Sequence, residues 1–283
     1  MFKMLKHDLN AIWPVWRIAA PIVLLFSALA GAVAGLGYAN YEFLEDINWM
    51  FMISAYLIDS YWPMILSAFS MLITVLVVVR YYKNFFTDEG YLTFTLPVSR
   101  TNLLNSKILM ALIWMASTGV VCILASVTYS FMLELVMPDD GFRFGNISAE
   151  LIKELLRSAF GTEEGVHLTL FGLEIIFMVL ASAVANILLL LMCITVGAVI
   201  VKKAKLLLGL GIYYGANAVV VGILYIGIIV GVIVIAAISE ISEDAILPML
   251  HIMLSLGGVL FSGVAVGAYL FNKKLINEKL NLP

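Results

Sequence analysis

Long apolar stretches alternate with short polar ones along the whole chain of 283 residues. Six of the apolar stretches reach or exceed the roughly 20 residues that a helix needs to cross a bilayer. They cover residues 15–38, 60–79, 108–133, 168–201, 206–238 and 247–271. Their residues do not alternate between polar and apolar as the strands of a transmembrane β-barrel do. The pattern therefore predicts an all-α, polytopic membrane protein with six transmembrane helices.

The composition points the same way. Hydrophobic residues make up 63% of the chain and charged residues only 12%, whereas soluble domains are roughly 45–50% apolar. A soluble protein of this composition would expose large apolar patches. No Pro/Ser-rich linker or strong repeat divides the sequence, so we expect a single transmembrane domain over residues 1–283. The first apolar stretch is longer than the roughly 7–15 residues of a signal-peptide core, so we expect no cleavage there.

The distribution of lysine and arginine predicts the orientation of the chain. If the N-terminus is inside, 13 of the 16 basic residues fall in cytoplasmic segments, and only Arg143, Lys153 and Arg157 fall outside. The positive-inside rule then gives cytoplasmic N- and C-termini in a plasma membrane. Acidic residues gather in the predicted outer segments, and we count Asp59 among them.

The first 14 residues form an amphipathic pattern of their own, with apolar side chains on one helical face and polar ones on the other. Such a pattern is typical of a helix that lies in the membrane interface. Trp13 and Trp16 would anchor it at headgroup depth, and Pro14 would turn the chain into the first span. The alternative is a simple basic leader to that span.

Residues 134–166 form the longest segment outside the predicted spans, between the third and the fourth. An apolar stripe over 147–159 predicts one amphipathic helix. Asn146 or Ser148 would cap its start, and Gly161 would end it. The helix would form either a lid over the bundle or a substrate gate.

A polar inner segment, residues 84–103, separates the second and third spans. Asp88 is placed to cap a short helix that begins near Glu89, and Leu96 must leave helical geometry because Pro97 follows it. Ser99 would cap the helix that leads into the third span. The basic residues expected to anchor this segment at the interface are Arg80, Lys83 and Lys107. A short element held between two long helices cannot move independently of them.

These residues carry a family resemblance. Glu89-Gly90 is followed by Leu92-Thr93-Phe94-Thr95-Leu96, by Pro97-Val98-Ser99-Arg100 and by Lys107. This order resembles the inner segment of ABC-2 type permeases, the membrane subunits of ATP-binding-cassette exporters. The resemblance implies that the segment is a coupling helix seated in a cleft of an ATPase subunit. The implied coupling residues are Asp88, Glu89, Gly90, Tyr91, Leu92, Thr93, Phe94, Thr95, Leu96, Pro97, Val98, Ser99 and Arg100. The chain departs from one branch of this family. Half-transporters of sterols and drugs carry their large outer segment between the fifth and sixth spans, whereas the long outer segment here lies between the third and fourth.

The resemblance also implies partners and an activity. A second permease chain, identical or paralogous, would complete a pathway that moves an amphipathic peptide, drug or lipid outward, and a separate cytosolic ATPase would supply the energy. The chain has no G-x-x-x-x-G-K-[ST] phosphate loop. We therefore expect no enzyme activity and no cofactor on this chain, with ATP and Mg²⁺ bound by the partner. We expect a lipid bilayer and no nucleic acid around it.

Two other functions stay open. A secondary carrier or channel would work on a gradient alone, but ion-coupled carriers place ionisable groups at mid-membrane, and the only carboxylate within a predicted span is Glu174, near its outer end. A membrane sensor or scaffold driven by an ATPase would share the inner segment, and flux measured with and without ATP would distinguish it from an exporter. The isolated histidines and the two cysteines are interpreted as interface or packing residues: His7, His167, His251, Cys122 and Cys193. The glycine-rich fifth span would permit a break or a re-entrant segment.

Overall fold

The structure is a computed structural model that describes residues 2–39, 48–87, 89–90, 95, 97–136, 153, 163–201, 203–239 and 246–278. Its helices are α1 (Phe2–Ala39), α2 (Asn48–Phe86), α3 (Arg100–Val136), α4 (Glu163–Ile200), α5 (Lys205–Ser239) and α6 (Ile246–Glu278). No strand occurs among the described residues. All six helices are long and apolar enough to cross a membrane. The prediction of an all-helical chain with six candidate spans is confirmed.

The helices are longer than the apolar stretches that predicted them. The shortest, α6, has 33 residues, which corresponds to about 50 Å of helix against a hydrocarbon core of about 30 Å. The helices therefore continue past the apolar stretches into the more polar sequence at their ends.

Helix α1 runs through the position at which a turn is predicted. Pro14 and Pro21 both lie inside it, so residues 2–14 belong to the same helix as the first span. Proline is tolerated inside membrane helices because neighbouring groups satisfy the carbonyl that it leaves unpaired. An interfacial position for residues 2–14 stays a prediction.

Two further predictions meet the structure unequally. Helix α5 is continuous from Lys205 to Ser239, so its glycines do not break it. The predicted outer helix lies outside the described residues except for Lys153, which is helical.

The chain divides into two compact units. The first unit comprises Met1–Arg80 and Leu109–Lys153, and the second comprises Tyr81–Ile108 and Glu154–Pro283. Helices α2 and α3 therefore each contribute residues to both units. The polar inner segment belongs entirely to the second unit, which also holds α4, α5 and α6.

In the first unit, glycines allow α1 to approach α3 closely. A Cβ atom added at Gly35 would lie 2.7 Å from the carbonyl oxygen of Leu133, and one at Gly31 would overlap the carbonyl of Tyr129. Small residues at such crossings let two backbones come into contact in a membrane. Helix α2 contacts both neighbours through Trp62, whose ring stacks on Phe26 of α1 and on Tyr129 of α3.

In the second unit, α4 and α5 cross at a pair of glycines. A Cβ atom at Gly197 would lie 2.7 Å from the Cα atom of Gly209. The connection between these helices contains Ala204 with φ 58°, a left-handed backbone conformation that residues other than glycine rarely adopt. Helix α6 packs on α4 at Gly258, where an added Cβ atom would lie 2.5 Å from the ring of Phe177.

Candidate functional site

The inner segment begins where α2 ends at Phe86 and finishes where α3 begins at Arg100. Between them Glu89 and Gly90 are helical. The coupling residues outside the described part are Asp88, Tyr91, Leu92, Thr93, Phe94 and Leu96. The exposed ones among the described residues are Glu89, Thr95, Pro97, Ser99 and Arg100; Val98 is half-buried and Gly90 is buried. The described residues of the segment thus present mainly polar groups to the surroundings.

A tight turn follows the end of α2. The Thr87 hydroxyl donates to the Lys83 carbonyl at 2.6 Å, and the Gly90 amide donates to the Thr87 carbonyl at 2.7 Å. A Cβ atom on Gly90 would lie 2.8 Å from the carbonyl oxygen of Phe85, which is backbone and cannot rotate away. The chain can fold back on α2 here because residue 90 is a glycine.

The start of α3 is capped as the sequence predicts. The Asn102 amide donates to the Ser99 hydroxyl oxygen at 3.3 Å, which satisfies one of the donors that a helix N-terminus leaves unpaired. The Arg100 guanidinium donates to the carbonyl oxygens of Ile276 and Asn277, both at 3.3 Å. Those carbonyls end α6, where the helix dipole favours a cation. Arg100 thus joins the first turn of α3 to the last turn of α6.

A buried chain of hydrogen bonds holds the last turn of α2 in place. Asn272 of α6 donates to the Tyr81 hydroxyl at 3.3 Å, and that hydroxyl lies 2.8 Å from the hydroxyl of Thr195 on α4. Thr195 donates in turn to the Leu191 carbonyl at 3.0 Å, which makes Tyr81 the donor to Thr195. Tyr81 and Thr195 are fully buried, and Asn272 is 1% exposed. The segment is therefore fixed to α4 and α6 on its α2 side.

A second polar contact fixes the α3 side. The Tyr269 hydroxyl of α6 donates to the side-chain oxygen of Asn105 at 3.0 Å, about one turn beyond the Arg100 contact. Leu103 and Leu104 are fully buried between these two contacts. The exposed residues of the segment thus lie between two anchored helix ends, the last turn of α2 and the start of α3, which contact α4 and α6.

The predicted tryptophan anchors form a cluster instead of standing apart. The rings of Trp13 and Trp16 stack with centroids 5.5 Å apart, and that of Trp16 lies 5.7 Å from Trp114 of α3. Trp13 remains about half exposed. The aromatic pair therefore joins α1 to α3 in the first unit, a contact that the sequence does not reveal.

The predicted basic anchors have three different environments. Arg80 forms an ion pair with Asp8 at 3.4 Å and contacts the His7 ring at 3.2 Å. Lys83 is exposed, as an interface anchor must be. Lys107 is only 3% exposed, so its side chain lies in the interior of the second unit and not at its surface.

Glu174 belongs to a polar cluster between α4 and α6. Its carboxylate lies 2.9 Å from His251 Nδ1 and accepts a hydrogen bond of 3.3 Å from Ser255. The ring of Phe171 stacks on that of His251 with centroids 3.9 Å apart. The spacings Phe171/Glu174 and His251/Ser255 are those of residues that share a helix face. The prediction that His251 is an isolated packing residue is wrong, because its ring bonds to Glu174.

Asp59 lies inside α2 and not in an outer loop, because α2 begins at Asn48. Its two carboxylate oxygens accept hydrogen bonds from the hydroxyls of Tyr38 on α1 and Tyr129 on α3. The ring of Tyr129 stacks on Trp62 with centroids 5.2 Å apart. The earlier assignment of Asp59 to an outer loop is wrong, because helical hydrogen bonding continues through it.

Comparisons with protein-family models, with curated proteins and with solved structures found no match to this chain. Among the described residues, no group of three or more His, Cys, Asp or Glu side chains is arranged to hold a metal ion.

Proposed function

We propose that the chain is the membrane-spanning permease subunit of an ATP-binding-cassette exporter. Residues 87–100 form its coupling element, and a separate cytosolic ATPase binds them. A second permease chain completes the pathway, through which an amphipathic peptide, drug or lipid moves outward. The observation that supports the proposal most directly is the way the inner segment is held: its described residues are mostly exposed, and the helix ends on both sides of it are hydrogen-bonded to α4 and α6.

That arrangement suits the transmission of force. Tyr81 and Arg100 lie on either side of residues 87–99 in the sequence, and both are hydrogen-bonded to α6. A partner that displaces the segment therefore acts on α2 and α3, between which the segment lies in the sequence. Through Tyr81 and Arg100 it acts on α4 and α6 as well. In the proposed cycle, closure of the ATPase on ATP shifts the bundle between inward and outward access, because ATP favours one of two conformations.

The test compares two charge reversals of the same residue type. Glu89→Arg changes an exposed residue of the coupling element, and Glu278→Arg changes an exposed residue at the end of α6. We expect the affinity-tagged wild-type chain and Glu278→Arg to copurify with an ATPase from the membranes of the native cell, and Glu89→Arg to lose it. ATP-dependent uptake of a fluorescent amphipath into inverted vesicles, whose cytosolic face points outward, should follow the same order.

Equal ATPase recovery and equal ATP-dependent flux in the two variants would reject the proposal. ATPase binding without ATP-dependent flux would instead identify a membrane sensor or scaffold.

A specific observation favours a second candidate. The Glu174–His251 pair places two ionisable groups together within helix segments long enough to span a membrane, and such pairs often mark ion pathways. An ion-coupled secondary carrier would use this pair and need no ATPase. Flux into proteoliposomes that contain only this chain, driven by a proton gradient and abolished in Glu174→Gln, would support the carrier.

A further inference from the structure

The buried hydrogen bonds of Tyr81 form a polar layer in the interior of the second unit. The layer consists of Tyr81 of α2, Thr195 of α4 and Asn272 of α6. One turn away on the same three helices lie buried apolar side chains, those of Phe85, Leu191 and Ile276. Apolar contacts have no direction, whereas a hydrogen bond requires a defined distance and angle between its atoms. The layer is thus the part of this packing that responds most sharply when one helix shifts along another.

The polarity of the layer is poorly explained by stability. The side-chain oxygen of Asn272 is buried and has no hydrogen-bond partner among the described residues. The bond from the Asn272 amide to the Tyr81 hydroxyl is long, at 3.3 Å. A buried polar atom without a partner gives up its bonds to water and gains none in return, and replacing both partners of such a contact by apolar groups of the same shape can be neutral or stabilising. An apolar layer would therefore hold these helices together at least as well.

The sequence of α2 indicates what the Tyr81 hydroxyl decides. Phe85 follows Tyr81 by one helical turn, about 5.4 Å along the axis. If α2 shifted by one turn relative to α4 and α6, the ring of Phe85 would take the place of the Tyr81 ring. Apolar packing accepts either ring, but phenylalanine has no hydroxyl, so Thr195 and Asn272 would lose their buried partner. The hydroxyl thus distinguishes two registers that ring packing alone would not.

We propose that Tyr81, Thr195 and Asn272 are positioning residues that fix one register of the end of α2 against α4 and α6. A buried polar residue that selects one register at a cost in stability is well attested in coiled coils. The end of α2 leads into the inner segment, so its register also sets the place at which a partner meets Glu89. In what concerns coupling, the inference rests on the proposed function, but the register can be measured without an ATPase.

The experiment measures the register with two spin labels in the full chain, held in phosphatidylcholine nanodiscs. Lys83→Cys of α2 and Leu256→Cys of α6 change exposed residues, and Cys122→Ser with Cys193→Ala removes the native thiols. Leu256 lies about 24 Å along α6 from Asn272, so a shift of α2 along the axis changes the distance between the labels. Double electron–electron resonance should give one narrow distance with the layer intact. Tyr81→Phe should add a second population, displaced by roughly 3–5 Å for a shift of one turn.

Two further variants separate register from stability. Tyr269→Phe makes the same chemical change in α6, where it removes the hydroxyl that donates to Asn105, and it should keep the single distance because the polar layer is untouched. The combined variant Tyr81→Phe, Thr195→Val and Asn272→Leu leaves no polar side chain of the layer unpaired. It should show two populations, with a thermal unfolding midpoint equal to or above that of the labelled parent.

Coupling is measured separately, with the ATPase that copurifies. We expect the combined variant to retain the ATPase, because Glu89 is unchanged, and to lose at least nine-tenths of the ATP-dependent uptake into inverted vesicles. If the wild-type chain recovers no ATPase, the proposed function fails, and the distance measurement still decides whether the layer fixes the register.

Three results would overturn the inference. A single unshifted distance in both Tyr81→Phe and the combined variant would show that packing fixes the register without the hydroxyl. A combined variant that does not fold, or that unfolds well below its parent, would show that the layer serves stability. Two populations in Tyr269→Phe would show that the loss of any polar contact between these helices loosens them.

Discussion

The crossing of α4 and α5 permits the sharpest test of the packing. Replacing Gly197 by alanine places a Cβ atom 2.7 Å from both the Cα atom of Gly209 and the carbonyl oxygen of Lys205. The carbon contact is about 0.8 Å shorter than the roughly 3.5 Å at which carbon atoms attract best. Both contacted atoms are backbone, so no side-chain rotation relieves the overlap and the helices must separate. Overpacking of this kind costs about 1–3 kcal/mol.

Gly211→Ala is the matched control. An added Cβ atom at Gly211 meets nothing within 4 Å, and this residue lies on the same helix as Gly209, two positions further along. In a helix interior, alanine is favoured over glycine by about 0.5–1 kcal/mol. The same chemical change should therefore destabilise the protein at residue 197 and leave it unchanged or slightly stabilised at residue 211.

The chain provides its own reporter for the measurement. It has two cysteines, of which Cys122 is half-buried and Cys193 is buried. In a Cys122→Ser background, Cys193 is the sole thiol, and its carbonyl lies beside Gly209 at the crossing. A maleimide that fluoresces on reaction then reports the thermal unfolding of the detergent-solubilised protein.

We expect the midpoint of Gly197→Ala to fall below that of the Cys122→Ser parent, and the midpoint of Gly211→Ala to equal or exceed it. Equal midpoints for the two variants, or a lower one for Gly211→Ala, would refute the close crossing and with it the described contact between α4 and α5.

The remaining predictions concern polar contacts. Ser99→Ala should destabilise the first turn of α3 by about 1 kcal/mol, which faster hydrogen exchange of the amides in that turn would reveal. Ser99→Asp should exchange like the wild type because aspartate caps equally well, and equal exchange in all three proteins would contradict the cap. A double-mutant cycle of unfolding free energies with Glu174→Gln and His251→Ala should show a coupling of about 0.6–1.7 kcal/mol. Strictly additive effects would mean that the two side chains do not bond in the folded protein.

The helices themselves could be predicted because one physical quantity decides them. A run of about 20 apolar residues must satisfy its backbone hydrogen bonds internally within a bilayer, and a helix does so without help from any other segment. Hence all six predicted stretches fall on helices, and Ser99 caps α3 as expected. The ends were less predictable, because Pro14 is accommodated inside α1 and residues 48–59 continue α2 through polar positions.

The polar partners could not be read from the sequence. Nothing in the sequence distinguishes Tyr81 from the other aromatic residues at the end of α2, yet its hydroxyl bonds to Thr195 of α4 and Asn272 of α6. Asp59 looked like an outer-loop acid, and His251 like a packing residue. Each of these three side chains bonds to a residue at least 70 positions away on another helix: Thr195, Tyr129 and Glu174, respectively.

The sequence by itself therefore determined the class of the protein, its six candidate spans among the described residues and the place of the inner segment between α2 and α3, because hydrophobicity and capping act over one helix at a time. Only the tertiary structure decided which helices meet at Gly197 and Gly209, what Arg100 bonds to, and that Asp59 accepts hydrogen bonds from Tyr38 and Tyr129. Those features depend on side chains far apart in the chain, and the distance between two such side chains is set by how the helices pack.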